Sequence, residues 1–339
     1  MMDSNKIKNP NARVDLISPE VLGTDKKLDT VFDHKEWLNY REKWDNNPLQ
    51  DIIEKVPLQI DLFAVDACNL HCPMCPRGAW DNSKKGYMDK ETVMRIIEEA
   101  APNGLKAFNF GGLGEPTVHP DIVEIIERAK ELGVVDVNMH TNGTRLNSKL
   151  SAGLVRSGLD RLTISLDSAN KESYEKIRVG ANFEKTYNSV IELLKIRDET
   201  NSSTPNVKVN FINMNEKDES EKKEFIDYWK DKANRIGILR YLDFGCYEES
   251  YEELYFKDNY SQDENYCCSE LWRRLSIWSD GVATICTRDF NKHEPVGNIN
   301  KSTIMEIWQG KKMSRYRELH RKGLFKEIPI CATCPDSFY

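Results

Sequence analysis

No stretch of this chain approaches 18 consecutive apolar residues, so nothing in it reads as a membrane span. The opening MMDSNKIKNPNARVDL lacks the apolar core of a secretory signal. Positive charge is not in excess either: 48 Lys and Arg against 55 Asp and Glu leave a formal net charge of -7 at pH 7. That balance argues against a nucleic-acid surface, because phosphate binding needs a concentrated positive field. Internal repeats and low-complexity tracts are missing, and Gly and Pro are sparse at 18 and 13 of 339 residues. What these absences leave is a cytoplasmic protein with no membrane or nucleic-acid partner, long enough for one large domain or two smaller ones.

Cysteine is not scarce. There are nine: three at 68–75, five at 267–334, and Cys246 alone. In a reducing compartment such clusters point to metal ligation before disulfides.

Residues 1–55 are polar, with a charged, Trp-bearing segment (DHKEWLNYREKWDNNPLQDII) that reads as one or two surface-packed helices, an N-terminal helical extension. From QIDLF onward, strand and helix patterns alternate. The strands are QIDLFAV, LKAFNF, VVDVNMH, RLTISL, VKVNFI and IGILRY. Between them lie DKETVMRIIEEAAPNG, HPDIVEIIERAKELG, SKLSAGLVRSG, FEKTYNSVIELLKIRDE and ESEKKEFIDYWKDKA. Asp89 is placed to cap the first of these helices and Gly104 to stop it; Pro120 opens the second and Gly133 closes it. Alternation of this kind means βαβ units on a parallel sheet. Six units fall two short of a closed eight-stranded barrel, so the α/β fold expected for residues 56–241 is a partial, TIM-like (β/α)6 barrel. Chemistry in such sheets gathers at the C-terminal ends of the strands, and the first cysteine group follows the first strand.

Residues 242–261 form a Tyr-rich acidic segment, a linker or a lid. Residues 262–339 then read as a small cysteine-rich α+β module: LSIWSDGVATICTRDF as a hairpin turning at Asp280-Gly281, STIMEIWQGKKMSRYRELHRKG as a helix broken near Gly310, and a terminal CATCPDSFY.

Cys68, Cys72 and Cys75 lie at C-x3-C-x2-C spacing on one loop. Structural zinc closes with four protein ligands, usually as paired two-cysteine knuckles, and His71 is awkwardly offset to be the fourth. A [4Fe–4S] cluster normally takes four thiolates; three leave one iron open, which makes a reactive centre.

The motif CNLHCPMC resembles the cluster loop of the radical S-adenosylmethionine (SAM) enzymes. Further similarities support it. GGLGEP resembles that family's Gly-Gly-Glu motif, His140-Thr141-Asn142-Gly143 its Thr-Asn-Gly turn, and ISLDSANKESYEKIR its Ser-x-Asp followed by Arg. The resemblance implies that the amino and carboxylate groups of SAM chelate the open iron, and that reductive cleavage yields a 5′-deoxyadenosyl radical. It implies contacts to SAM from Gly112, Gly114, Glu115 and Asn142, with Glu115 accepting from the ammonium. Ser165 and Arg178 would reach the ribose or the carboxylate, the latter suited to a planar guanidinium. An electron donor such as flavodoxin or ferredoxin is implied as a partner. Met74 stands where the family often has an aromatic residue.

The C-terminal module is similar to the SPASM and twitch extensions, which hold auxiliary [4Fe–4S] clusters; taken alone, its cysteines would also suit a zinc ribbon. Cys268, Cys286, Cys331 and Cys334 would coordinate one auxiliary cluster fully, with Cys267 able to replace Cys268. A full SPASM domain adds cysteines after the last pair, and none follow here. The expected cofactors are therefore SAM and two [4Fe–4S] clusters. The arrangement is similar to that of the radical SAM dehydrogenase of aminocyclitol antibiotic assembly. That implies an oxidoreductase acting on a small hydroxylated substrate such as a sugar, cyclitol or nucleotide sugar. Epimerisation, dehydration and peptide maturation remain open, as does a non-catalytic zinc module. Cys246 and Tyr241 are candidate hydrogen donors; His140, Asp167 and Glu248 are candidate bases.

Overall fold

The computed structural model describes residues 20–23, 34–75, 77, 86–213, 219–240, 262–264, 266–334 and 337. The candidates Tyr241, Cys246 and Glu248 and the acidic segment 242–261 lie outside the described residues.

The six expected strands are present: β2 (Gln59–Phe63), β3 (Ala107–Phe110), β4 (Asp136–Thr141), β5 (Arg161–Ser165), β6 (Asn206–Asn213) and β7 (Arg235–Arg240). They run parallel, each beside its predecessor. The sheet does not close. Instead β1 (Glu20–Gly23), a strand within the expected helical extension, covers the free edge of β7 in antiparallel register. Its four residues are too short a run to show strand periodicity.

The other edge corrects the expectation of a merely appended module. β8 (Arg274–Trp278) pairs in parallel with β2, from Gln59 opposite Arg274 to Phe63 opposite Trp278. The expected hairpin then turns at Gly281 into β9 (Val282–Thr284), and β10 (Pro295–Asn298) ends a ten-stranded sheet.

Alternation along the strands sets the two faces. Ile60, Leu62, Phe108, Phe110, Val137, Met139, Leu162, Ile164, Val207 and Val209 join one buried core with the helices. α2 (Lys90–Ala100) contributes Val93, Ile96, Ile97 and Ala100, and α3 (Ile122–Glu131) contributes Ile122, Ile125, Ile126 and Ala129. Each buried Ile is worth about 1.5–3 kcal/mol. Asp89 caps α2, accepting from Thr92 N at 2.8 Å. The remaining barrel helices are α4 (Ser148–Arg156), α5 (Lys171–Ile177), α6 (Phe183–Glu199) and α7 (Glu219–Trp229); α5 was not expected. The module adds α8 (Ile304–Trp308), α9 (Lys311–Arg321) and α10 (Pro329–Ala332), with the anticipated break at Gly310.

α1 (Lys35–Gln50) buries Trp37 and Tyr40 with Leu58, Ala107 and Val135, at the start of the barrel strands. Pro48, inside its last turn, has no N–H to give to the carbonyl of Trp44. Arg273 Nε takes that carbonyl at 2.6 Å, and Trp272 Nε1 and Arg321 Nε both donate to Asp51 Oδ1 at 2.8 Å. The helix thus ties the barrel floor to the C-terminal module.

Candidate cluster sites and barrel lumen

β2 runs out through Val65, which bridges Tyr87, into the first cysteine loop. Three strand-end loops hold it. Glu115 N donates to Ala67 O at 2.9 Å, Asn69 Nδ2 to Thr144 Oγ1 at 2.7 Å, and His71 N to Val179 O at 2.9 Å. His71 is exposed, in keeping with its awkward offset for ligation. Ser279, from the turn after β8, also donates to Asp66 just ahead of Cys68. The four motifs singled out in the sequence therefore meet around one loop.

The glycines act on the chain itself. A Cβ on Gly114 would lie 1.8 Å from the carbonyl oxygen of Val65, and one on Gly112 (φ +110°) 1.8 Å from Phe63 Cδ1. Both positions let the second strand-end loop seat against the first. Glu115 is only 2% exposed and already has donors. Oε1 accepts from Thr117 N, Thr117 Oγ1 and Thr141 Oγ1 at 3.1, 2.6 and 2.6 Å, and Oε2 from Asn142 N at 2.7 Å. The carboxylate fixes the Thr141-Asn142-Gly143 turn. Asn142 is thereby aimed at the cysteines, its Nδ2 3.7 Å from Cys68 Sγ.

Arg178 follows α5, and its Nη1 lies 3.7 Å from Cys72 Sγ. Its Nε and Nη2 are both engaged by Asp167, a fully buried residue held at φ +65° whose Oδ1 accepts from Ile212 N at 3.1 Å. The planar fork is spent on Asp167, and Asp167, locked in that pair, is not placed as a base toward substrate. Burial works against the Arg178 charge, but Asp167 and Cys72 outweigh it and raise its pKa. Burial raises the Cys72 thiol, with Arg178 pulling the other way. Backbone N–H groups at i+2 donate to Cys68 Sγ (from Leu70, 3.5 Å) and to Cys75 (from Arg77). Ser165 stands half-buried at the end of β5, opposite Asn210.

The second group separates Cys268 from Cys267. Burial first, then Glu270, then Cys334, Cys331 and Cys286 raise the Cys268 thiol well above its ordinary value. Burial, Cys334 and Cys286 also lead the upward shift of Cys331. Cys267, pushed up to about 11 by burial, feels Arg321 and Asp51 instead of the other cysteines. The charges that act on Cys268 and Cys331 are thus those of the other cysteines of the group, whereas those that act on Cys267 are Arg321 and Asp51. His320, absent from the sequence reading, backs the group: its Nδ1 accepts from Cys268 N at 3.2 Å. Arg288 N donates to Cys286 Sγ at 3.4 Å, the same i+2 pattern as in the first loop.

All eight described cysteines are free thiols. Among the described residues no three His, Cys, Asp or Glu side chains close around a single metal ion. The donor set fits clusters in another respect. Buried thiols that raise one another's pKa become thiolates when metal supplies the missing positive charge.

Inside the barrel the inward-facing residues are polar. Gln59 Nε2 and Asn109 Nδ2 donate to Asp61 Oδ1 at 2.9 and 2.8 Å; Asn138 Nδ2 reaches Asn109 Oδ1 at 2.9 Å and His140 Nε2 at 3.1 Å. Burial, aided by Lys208 and Arg161, pushes His140 down to about 3, so the ring is neutral at physiological pH and a weak base. The sequence reading passed over Asp61, Asn109, Asn138 and Lys208, although the every-second-residue polarity of QIDLF, AFNF, DVNMH and NVKVN carries them.

Over residues 63–228 the sequence matches the radical SAM superfamily, and over residues 267–335 the SPASM iron–sulfur cluster-binding domain. The chain belongs to the radical SAM superfamily and carries a SPASM-type domain, so SAM and [4Fe–4S] clusters are its cofactors. GTP 3′,8-cyclase of Lactiplantibacillus plantarum is 28% identical over 210 residues, 61% of each chain, so the match spans about three-fifths of that relative's length. The crystal structure of BtrN in complex with AdoMet and 2-DOIA superposes with a TM-score of 0.54 at 17% identity, covering 84% of this chain and 94% of that one. Streptococcus suis SuiB bound to precursor peptide SuiA gives 0.61 at 15%, covering 83% and 71%. These two likenesses concern the fold. No helix among the described residues is long and apolar enough to cross a membrane.

Proposed function

We propose that this chain is a radical SAM oxidoreductase acting on a small hydroxylated molecule held in the barrel lumen. Cys68, Cys72 and Cys75 hold the SAM-binding cluster, and Cys268, Cys286, Cys331 and Cys334 an auxiliary one. Bound at the iron that the three cysteines leave open, reductively cleaved SAM would supply the hydrogen-abstracting chemistry. Asn142 and Ser165 face that end of the barrel, Glu115 sets the turn that carries Asn142, and Arg178 places positive charge against Cys72. Electrons would come from a flavodoxin- or ferredoxin-type donor.

The observation that carries the substrate class is the lumen network Gln59–Asp61–Asn109–Asn138–His140, which offers hydrogen bonds in place of an apolar pocket. The similarity to GTP 3′,8-cyclases keeps a nucleotide substrate in view, and the likeness in fold to a peptide-bound neighbour keeps a peptide. The test is anaerobic reconstitution with SAM and dithionite against a panel of carbinol-deuterated sugars, cyclitols and nucleotide sugars. Deuterium appearing in 5′-deoxyadenosine, with a ketone product, supports the reading. Transfer only from a peptide substrate, or a colourless protein containing zinc and no acid-labile sulfide, refutes it.

A further inference from the structure

The lumen holds a charge that nothing among the described residues balances. Arg161 gives two hydrogen bonds to Asp136, at 2.8 and 2.6 Å, and that pair is closed. Arg235 leans on a neutral partner, Asn206 Oδ1 at 3.2 Å. Lys208, inward-facing on β6, lies opposite Thr163 on one side and Arg235 on the other, and Thr163 in turn lies opposite His140. Among the described residues no carboxylate comes within ion-pair reach of Lys208. Burial, then Arg235 and Arg161, push its ammonium down to about 8, and among the described residues no anion acts the other way.

Two acceptors on the same sheet are also open, Asn210 on the strand of Lys208 and Asn138 two strands away on β4. Asn138 Oδ1 and Asn210 Oδ1 are buried, at 8% and 6% residue exposure, and neither has a hydrogen-bond partner. Asn210 pairs with Ser165 and Gly237, one rung nearer the cysteine loop than Lys208. Gly237 makes room for the Asn210 amide itself, since a Cβ there would lie 2.4 Å from Asn210 Oδ1 and 3.6 Å from Lys208 Cδ. A buried cation wants an anion, and buried acceptors want donors.

We propose that the lumen binds a small polyhydroxylated anion, its phosphate or carboxylate on Lys208 with Arg235 behind, and its hydroxyls on Asn138 Oδ1 and Asn210 Oδ1. This rests on the proposed function for its location and narrows the substrate class: an aminated, cationic cyclitol is disfavoured, and a sugar phosphate or sugar acid is favoured.

The experiment is isothermal titration of the cluster-reconstituted, SAM-bound protein with glucose 6-phosphate, gluconate, inorganic phosphate, glucose and glucosamine. The anionic sugars should bind at least about tenfold more tightly than glucose, and glucosamine the least tightly. Phosphate against gluconate tells which anion is preferred. Lys208→Met should erase the advantage of the anionic sugars, and Lys208→Arg should keep most of it. Equal affinity for anionic and neutral sugars, tighter binding of glucosamine, or an advantage unchanged in Lys208→Met each overturns the proposal. If Lys208→Met fails to fold, the wild-type ranking and Lys208→Arg still decide. Dithionite-driven SAM cleavage by the wild type, run alongside, tests the radical SAM reading separately, so either can fail alone.

Discussion

The two cysteine groups share a local device and differ in their surroundings. In both, a backbone N–H two residues on donates to a cysteine sulfur, at Cys68 and Cys75 in the first and at Cys286 in the second. Around the first group stand arginines: Arg178 beside Cys72 and Arg77 beside Cys75. Around the second stand acids, with Glu270 raising Cys268 and with Glu294 and Asp289 raising Cys331, and one buried cation, Arg274, that interacts with Cys268 and Cys286; in both groups the cysteines raise one another. Three ligands leave room for a further group and four buried thiols suit a site that metal must hold, so it is ligand count more than the sign of neighbouring charge that sets the two apart.

The largest test of this contrast is Cys72→Ala against Cys334→Ala. The first should abolish dithionite-driven SAM cleavage. The second should lose substrate turnover while keeping measurable cleavage. Iron and acid-labile sulfide should fall by one cluster in each, and complete loss of iron in both would break the comparison.

Next is Cys268→Ala against Cys267→Ala. Only the Cys268 variant should lose auxiliary iron, because Cys267 feels Arg321 and Asp51 and not the cysteine group; equal losses would merge the two residues again.

Arg178→Met should cost about 3–5 kcal/mol of stability, because it strands Asp167 buried and unpaired. Urea denaturation reads this, and Arg178→Lys should recover part of it. A loss confined to SAM affinity would instead mean that the fork serves SAM directly.

The smallest effect is expected of Pro48→Ala, where a restored helical bond to Trp44 O competes with Arg273. The change in stability should stay within about 1 kcal/mol, and cluster content should be unaffected.

Much of this was legible in the sequence because the fold repeats one signal. Alternating strands and helices gave six parallel strands, and the motifs at four strand ends do converge on Cys68–Cys75. What side chains do within the site was less legible. Whether Glu115 faces a ligand or Thr117, Thr141 and Asn142 depends on contacts 26 or 27 residues apart as well as local ones. The Arg178–Asp167 pair was hidden for a related reason: both residues belong to a familiar motif, and the motif does not say that they bind each other. The pairing of β8 with β2 was invisible because strand patterns predict existence and not partners. The lumen was readable as period-two polarity along the strands.

That pairing has a consequence for how the protein is made. The outer edge of β2, the strand that delivers the cysteine loop, stays bare on the ribosome until Arg274–Trp278 has been synthesised, more than two hundred residues later. Until then the nascent barrel carries an unpaired parallel edge, the kind that forms slowly and invites association between chains. A chain cut after residue 241 should therefore aggregate rather than yield a working half. The strand that covers this edge emerges between Cys268 and Cys286, so the sheet is completed only as the ligands of the second site are being made.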